Sequence, residues 1–212
     1  VLKAGRDNGQ EVGKDMTIRC FAAIELDTAI AGGLGQWQGV LKRKLATVGS
    51  GISWVRANQI HLTLKFLGEV EDGGVMEVCE ALSLAAGECS PFEIEVGGCG
   101  WFPPGGSARV VWAGITRGAE ELVALQQVVD GYLNEAGYPL EARRFSPHLT
   151  LARIKKPSVG YEVRDVVEKM ELEIPAVQEV GELTLFQSVL TREGPVYTAM
   201  HHAELGGKGG KP

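Results

Sequence analysis

No run of apolar residues in this chain approaches the roughly 20 that a membrane-spanning helix needs. The best candidate, VMEVCEALSLAA at 75 to 86, is short and carries Glu77 and Glu80. Neither a membrane span nor a membrane partner is expected. Positive charge is also scarce: 21 Lys and Arg against 27 Asp and Glu leave a net charge of −6. That balance argues against a broad electrostatic grip on a nucleic-acid duplex, which uses a basic face to neutralise many phosphates. It leaves room for a small basic pocket around one phosphate. Cysteine is limited to Cys20, Cys79, Cys89 and Cys99, with no C-x-x-C pair. A 212-residue chain that is 44% apolar builds a core without disulfides, so reduced thiols are expected. The opening VLKAGRDNGQEVGKDM lacks the charged-then-apolar layout of a signal peptide. A cytoplasmic location follows by default.

Regular patterning starts after Met16 and stops before GGKGGKP at 206 to 212, so residues 1–15 read as a flexible extension and 206–212 as a flexible tail. Residues 16–205 then form the folded body, taken as a monomer. TIRCFAAI (17 to 24) reads as a strand, and Asp27 as the N-cap of a helix running to about Ala46, weakened by Gly32, Gly33 and Gly35. ISWVR, QIHLTLKFL, PFEIEVGGCG, RVVWAGI and HLTLARI read as strands, with two more near 182–190 and 195–203. Helices are expected near 74–86 with Asp72 as cap, over 119–136 ending at Gly137, and near 161–170. This order of mixed strands and helices points to an α+β fold with antiparallel sheets lining an interior and helices outside.

Histidine occurs only four times, yet two copies stand in the same tetrapeptide, HLTL at 61–64 and again at 148–151, 148 − 61 = 87 positions apart. Both halves pass through strands, a helix and an H-L-T-L strand, which suggests two related lobes rather than a long repeat array. Strand alternation puts His61, Thr63 and Lys65 on one face and Leu62, Leu64 and Phe66 on the other. His148 and Thr150 share a face in the same way. Two imidazoles and two hydroxyls gathered at one point suit a phosphate ester. One ring can take a proton while a differently tuned ring gives one up, each titrating near an unperturbed pKa of about 6.5. Hydroxyls and a cation can hold the non-bridging oxygens. That chemistry requires neither a metal nor an organic cofactor.

HLTLKFLGEV and SPHLTLAR resemble the two H-x-T-x signatures of the two-histidine (2H) phosphoesterase superfamily, specifically the RNA 2',3'-cyclic phosphodiesterases, also called 2'-5' RNA ligases. IRCFAAIEL, RVVWAGI and LTLFQSVLTREGPVY are similar to the same family in the same order, so the resemblance covers about residues 17 to 200. It implies a bilobal, pseudo-two-fold duplicated α+β fold around a central cleft. It also implies hydrolysis of 2',3'-cyclic phosphate at RNA ends, or of small cyclic nucleotides, to 2'-phosphates, with reversible 2'-5' ligation as a second activity. On this resemblance His61 and His148 are the acid and base, Thr63 and Thr150 hold the phosphate, and Arg153 is the arginine that follows the second motif. Simple alternation sets Arg153 opposite His148, so its reach to the phosphate requires a twist, a bulge or its own length. The sequence leaves open which histidine is acid and which is base; the preference stated here is His148 as base and His61 as acid.

Blander roles stand beside these. Arg143, Arg144, Lys155 and Lys156 flank the second motif and suit an RNA tail or a solvated face equally. Phe145 and Trp112 could stack a base, although aromatics in apolar contexts are more often core. His201 and His202 are strand neighbours and make a poor chelating pair. GGCGWFPPGG (97 to 106) lacks the G-x-x-x-x-G-K-[ST] pattern and reads as a turn or a loop over the cleft. Lys42, Arg43 and Lys44 complement a helix C-terminus. Two rival functions remain: a non-catalytic module that binds phosphorylated RNA or nucleotide ends, and turnover of another cyclic phosphate or a 2'-5' linkage.

Overall fold

The structure, a computed structural model, describes residues 17–206 apart from 49 and 193. The expected extension at 1–15 and, Gly206 excepted, the expected tail at 206–212 lie outside the described residues. The chain runs β1 (Thr17–Glu25), α1 (Thr28–Lys44), β2 (Ile52–Trp54), β3 (His61–Glu71), α2 (Val75–Glu88), β4 (Phe92–Phe102) and β5 (Val110–Arg117). It continues through α3 (Ala119–Glu135), β6 (Leu149–Ile154), α4 (Pro157–Val167), β7 (Glu173–Val180), β8 (Glu182–Thr191) and β9 (Gly194–Glu204). Two antiparallel sheets result, in the orders β3-β1-β8-β9 and β2-β6-β5-β4-β7. Helices α2 and α3 cover the first sheet, and α1 and α4 the second. The fold is therefore α+β and bilobal, as the sequence implied. The lobes are not the two halves of the chain, however: β1 pairs with β8, which joins β3 and β1 to β8 and β9 from the far end in one sheet.

Alternation along β1 shows how each sheet is built. Cys20, Ala22 and Ile24 join the core beneath the helices, whereas Phe21 and Ala23 face the opposite, helix-free side. Apolar residues at helical spacing complete that core, among them Ile30, Leu34 and Leu41 from α1 and Leu122, Leu125, Val129 and Leu133 from α3. Two of the glycines in α1 have packing reasons. A Cβ on Gly33 would meet Ile174 of β7 at 3.0 Å, and one on Gly35 would meet the Ala57 Cβ at 3.1 Å. Their bare backbone lets α1 lie close to β7 and to the 3-10 turn Ala57–Gln59 that leads into β3.

Both H-L-T-L strands carry a β-bulge, and it changes which residues face the open side. In β3, Ala23 stands opposite Thr63 and Ala22 opposite Lys65, so Leu64 is the extra residue. In β6, Trp112 stands opposite Thr150 and Val111 opposite Ala152, so Leu151 is the extra residue. After each bulge the alternation reverses. Lys65 is therefore buried at 3% exposure while Phe66 is 61% exposed, which overturns the expected grouping of Lys65 with His61 and Thr63 and of Phe66 with the leucines. In β6, Leu151 and Ala152 are both buried and Arg153 is exposed, so Arg153 returns to the face of Thr150 rather than opposing it.

Buried polar groups hold these bulges. Gln38 of α1 is buried and its Nε2 donates to the carbonyls of Leu151 (2.8 Å) and Val55 (2.9 Å). The Val55 N–H donates to the same Leu151 carbonyl at 3.0 Å. Lys65 forms a buried ion pair with Asp130 of α3 and donates to the Pro139 carbonyl at 2.7 Å. Asp130 Oδ2 in turn accepts the Glu141 N–H at 3.0 Å.

Several local expectations give way to the structure. Strand β7 forms at 173–180, where Pro175 argues against a strand; it lies at the edge of its sheet, where a missing N–H is tolerated. Helix α4 begins at Pro157, a proline in the first turn, rather than near 161. Asp72 lies in a short 3-10 turn and Gly74 occupies the cap position of α2. Asp27 holds the N-cap position of α1 without a side-chain capping bond. Residues 97–102 belong to β4, which restricts the expected glycine-rich loop to the segment after Phe102. No helix among the described residues is long and apolar enough to cross a membrane.

Candidate active site

His61 opens β3 after the 3-10 turn Ala57–Gln59 and His148 immediately precedes β6, so each imidazole sits at the entry to its H-L-T-L strand. The Nδ1 of His61 lies 2.9 Å from the Gln59 carbonyl oxygen, and the Nδ1 of His148 lies 2.8 Å from that of Ser146. A carbonyl oxygen only accepts, so in both rings Nδ1 carries the proton. Each neutral ring therefore keeps Nε2 as its free acceptor. The same device, a ring bonded to the carbonyl two residues upstream, is built twice.

The two motif strands pack against each other. Thr63 and Thr150 are half-buried and share the open faces of their strands with the histidines. Arg153 lies close enough for its charge to act on both His61 and Tyr197. Burial is the main cause holding the His61 pKa below its ordinary 6.5, and Arg153 pushes the same way. The Gln59 carbonyl and Glu25, which stands directly opposite His61 in the β1–β3 register, act in the contrary sense.

Aromatic rings wall the histidines. The His61 ring lies 4.8 Å from that of Phe21 and 5.2 Å, edge on, from that of Tyr197. Phe186 stacks on Phe21 at 5.2 Å, closing a small apolar cluster on the open side of the first sheet. Burial raises the Tyr197 pKa, opposed by Arg153 and Arg19. On the second sheet Phe102 meets His148 edge on at 5.1 Å and Trp112 at 5.5 Å. A Cβ on Gly100 would collide with the Trp112 ring, which therefore lies over bare backbone. Sequence reasoning overlooked Phe21, Phe102, Phe186, Tyr197 and Glu25. Alternation in TIRCFAAI does set Phe21 apart from Cys20 and Ala22, and that was the available signal.

The remaining expectations divide. Phe145 packs on the core, whereas Trp112 faces the open side beside Phe102. His201 and His202 point to opposite faces: His201 contacts Ser83 of α2 at 2.8 Å, and His202 contacts Thr184 at 3.2 Å and Glu182 at 3.4 Å. Arg143 and Arg144 are exposed. Lys42, Arg43 and Lys44 end α1, with Lys42 over the Trp54 ring at 5.1 Å. Among the described residues no three His, Cys, Asp or Glu side chains form a group suited to a metal ion.

Comparison with known proteins extends this picture over nearly the whole fold. The family model described as LigT like Phosphoesterase matches residues 24–112 and 115–197. The chain is 35% identical over 170 residues to a protein of Aeropyrum pernix named RNA 2',3'-cyclic phosphodiesterase, covering 80% of this chain and 95% of that one. The crystal structure of TT0787 of Thermus thermophilus aligns with a TM-score of 0.74 at 28% identity, covering 90% of this chain and all of that one. A crystal structure of E. coli LigT complexed with 3'-AMP aligns with a TM-score of 0.64 at 26% identity, covering 89% of this chain and 98% of that one. The chain belongs to the LigT-like, two-histidine phosphoesterase family.

Proposed function

We propose that this protein hydrolyses the 2',3'-cyclic phosphate ends of RNA, or small nucleoside 2',3'-cyclic phosphates, to 2'-phosphates without a metal. The observation that carries this reading is the twin placement of His61 and His148, each with Nδ1 bonded to a carbonyl and Nε2 left free, on strands that pack together. The A. pernix relative bears the name of this activity.

In the proposed reaction His148 Nε2 takes a proton from water as the oxygen attacks phosphorus. The P–O3' bond breaks in line with the attack, and His61, in its doubly protonated form, gives its Nε2 proton to the departing 3'-oxygen. Solvent then restores both rings. Thr63, Thr150 and Arg153 hold the non-bridging oxygens, where charge has to be stabilised. These roles are the preference stated from sequence. A terminal 5'-hydroxyl in place of water gives a 2'-5' linkage by the same displacement, and the reverse reaction cleaves it.

Turnover of a nucleoside 2',3'-cyclic phosphate in EDTA tests the proposal. Wild-type activity is expected to persist, while H61A and H148A each lose about 10²- to 10⁴-fold. Wild-type rates in both variants would refute the roles given to the rings. Saturable binding of a 2'-phosphate without turnover, across the pH range where imidazole titrates, would favour the binding module instead.

A further inference from the structure

We propose that Gln59 is a positioning residue for the acid–base step: its side chain fastens the turn that holds His61 to the start of β9, so that the carbonyl beneath the ring and the Tyr197 wall beside it are held as one piece. This rests on the function proposed above and adds a residue that touches no reacting atom.

The first observation is that Gln59 is used twice. Its backbone carbonyl oxygen lies 2.9 Å from His61 Nδ1, while its side-chain Nε2 donates to the Pro195 carbonyl at 3.0 Å. Pro195 is the second residue of β9 and stands two before Tyr197, whose ring meets that of His61 edge on at 5.2 Å. Turn and strand thus reach the same imidazole. The Gln59 N–H donates to the Arg56 carbonyl at 2.8 Å, so the whole residue is committed to this junction.

The second observation is where the two partners lie in the sheet. Strands β3 and β9 are its opposite edges, three strand spacings apart, or about 14 Å if the sheet were flat. They also meet at opposite ends. His61 pairs with Glu25 at the last residue of β1, whereas β8 and β9 run on past Gln187, the partner of Cys20, to Leu190 and Pro195 near the other end. Strand twist brings these diagonal corners together over the open face, and the Gln59 amide joins them. One half-buried amide–carbonyl bond adds little to the stability of the chain. What it fixes is direction.

Direction matters at this ring, because a small misplacement of a catalytic group is costly. Burial holds the His61 pKa down and the Gln59 carbonyl acts against it; of the charged groups facing the ring, Arg153 of β6 lowers the pKa further and Glu25 of β1 raises it. A turn freed from β9 lets the carbonyl drift from Nδ1. The doubly protonated ring then loses its acceptor, and its pKa falls further.

Q59M tests this, since it keeps an unbranched side chain of similar length without the donor. On a nucleoside 2',3'-cyclic phosphate kcat is expected to fall about tenfold or more with KM little changed. The limb on which kcat declines with rising pH, which belongs to His61 as acid, should move to lower pH. Imidazole nitrogen NMR reads the tautomers without turnover: in Q59M the neutral His61 ring should become a mixture of Nδ1–H and Nε2–H forms, while His148, held by Ser146, stays as in wild type. An unchanged kcat would overturn the proposal. So would lower stability in urea with the alkaline limb and the His61 signal in place, because Gln59 would then serve folding alone. A tautomer shift in Q59M when wild type turns over no cyclic phosphate would remove the hydrolase reading and keep the positioning; turnover in wild type with no shift in Q59M would do the opposite.

Discussion

At the scale of single residues, the carbonyls of Gln59 and Ser146 fix the tautomer and the plane of the two histidine rings. The environments then differ. His61 is enclosed by Phe21 and Tyr197 and faces the charge of Arg153, so its folded-state pKa lies below the unfolded value of 6.5. The unfolded chain consequently binds a proton more readily than the folded one. The associated stability is fully present above the unfolded pKa and is lost as pH falls through the lower folded value. Urea unfolding at a series of pH values below neutral should therefore show wild type losing more stability than H61Q. Parallel curves would mean that the ring is not shielded from water as described.

At the scale of elements, the bulges decide the character of each wall. Without the extra Leu151, Arg153 would point into the core and Ala152 to the cleft. The carbonyl of Leu151 is held by Gln38 and Val55, so a helix on one side of the sheet maintains the display of an arginine on the other. Q38L removes two hydrogen bonds, one buried and one partly buried, and puts an apolar side chain of similar size in place of the amide. A loss of about 1–3 kcal/mol in urea unfolding is expected, since two carbonyls lose a donor. Cyclic-phosphate turnover should fall as well, with KM rising if Arg153 loses its aim. Full activity in Q38L at reduced stability would show that the bulge persists without its helix contact.

Across the whole molecule, the interleaved topology ties the sites of the two lobes together. Lys65 belongs to the strand of His61, Asp130 to α3, and Pro139 and Glu141 to the segment that leads toward His148. One buried ion pair thereby links the first motif to the approach of the second. D130A leaves an ammonium buried without its partner and should cost about 3–5 kcal/mol. Adding K65M to D130A should restore much of that stability, because the uncompensated charge is gone, and a double variant no more stable than D130A would contradict the account.

The sequence by itself determined the family to which the chain belongs. Duplicated H-L-T-L segments selected the residues of the candidate site, and the positions of the apolar residues selected most strands and helices, because periodicity of two or 3.6 is a local property. It also gave the α+β class. Bulges are another matter: an inserted residue shows only in the register with a partner strand, so neither the exposure of Phe66 and Arg153 nor the burial of Lys65 was legible. Strand β7 stayed hidden because the edge position that tolerates Pro175 is set by the sheet. The aromatic wall around His61 depends on β1, β8 and β9 meeting from distant parts of the chain. Only the tertiary structure decided these, since burial and long-range pairing are properties of neighbours in space rather than in sequence.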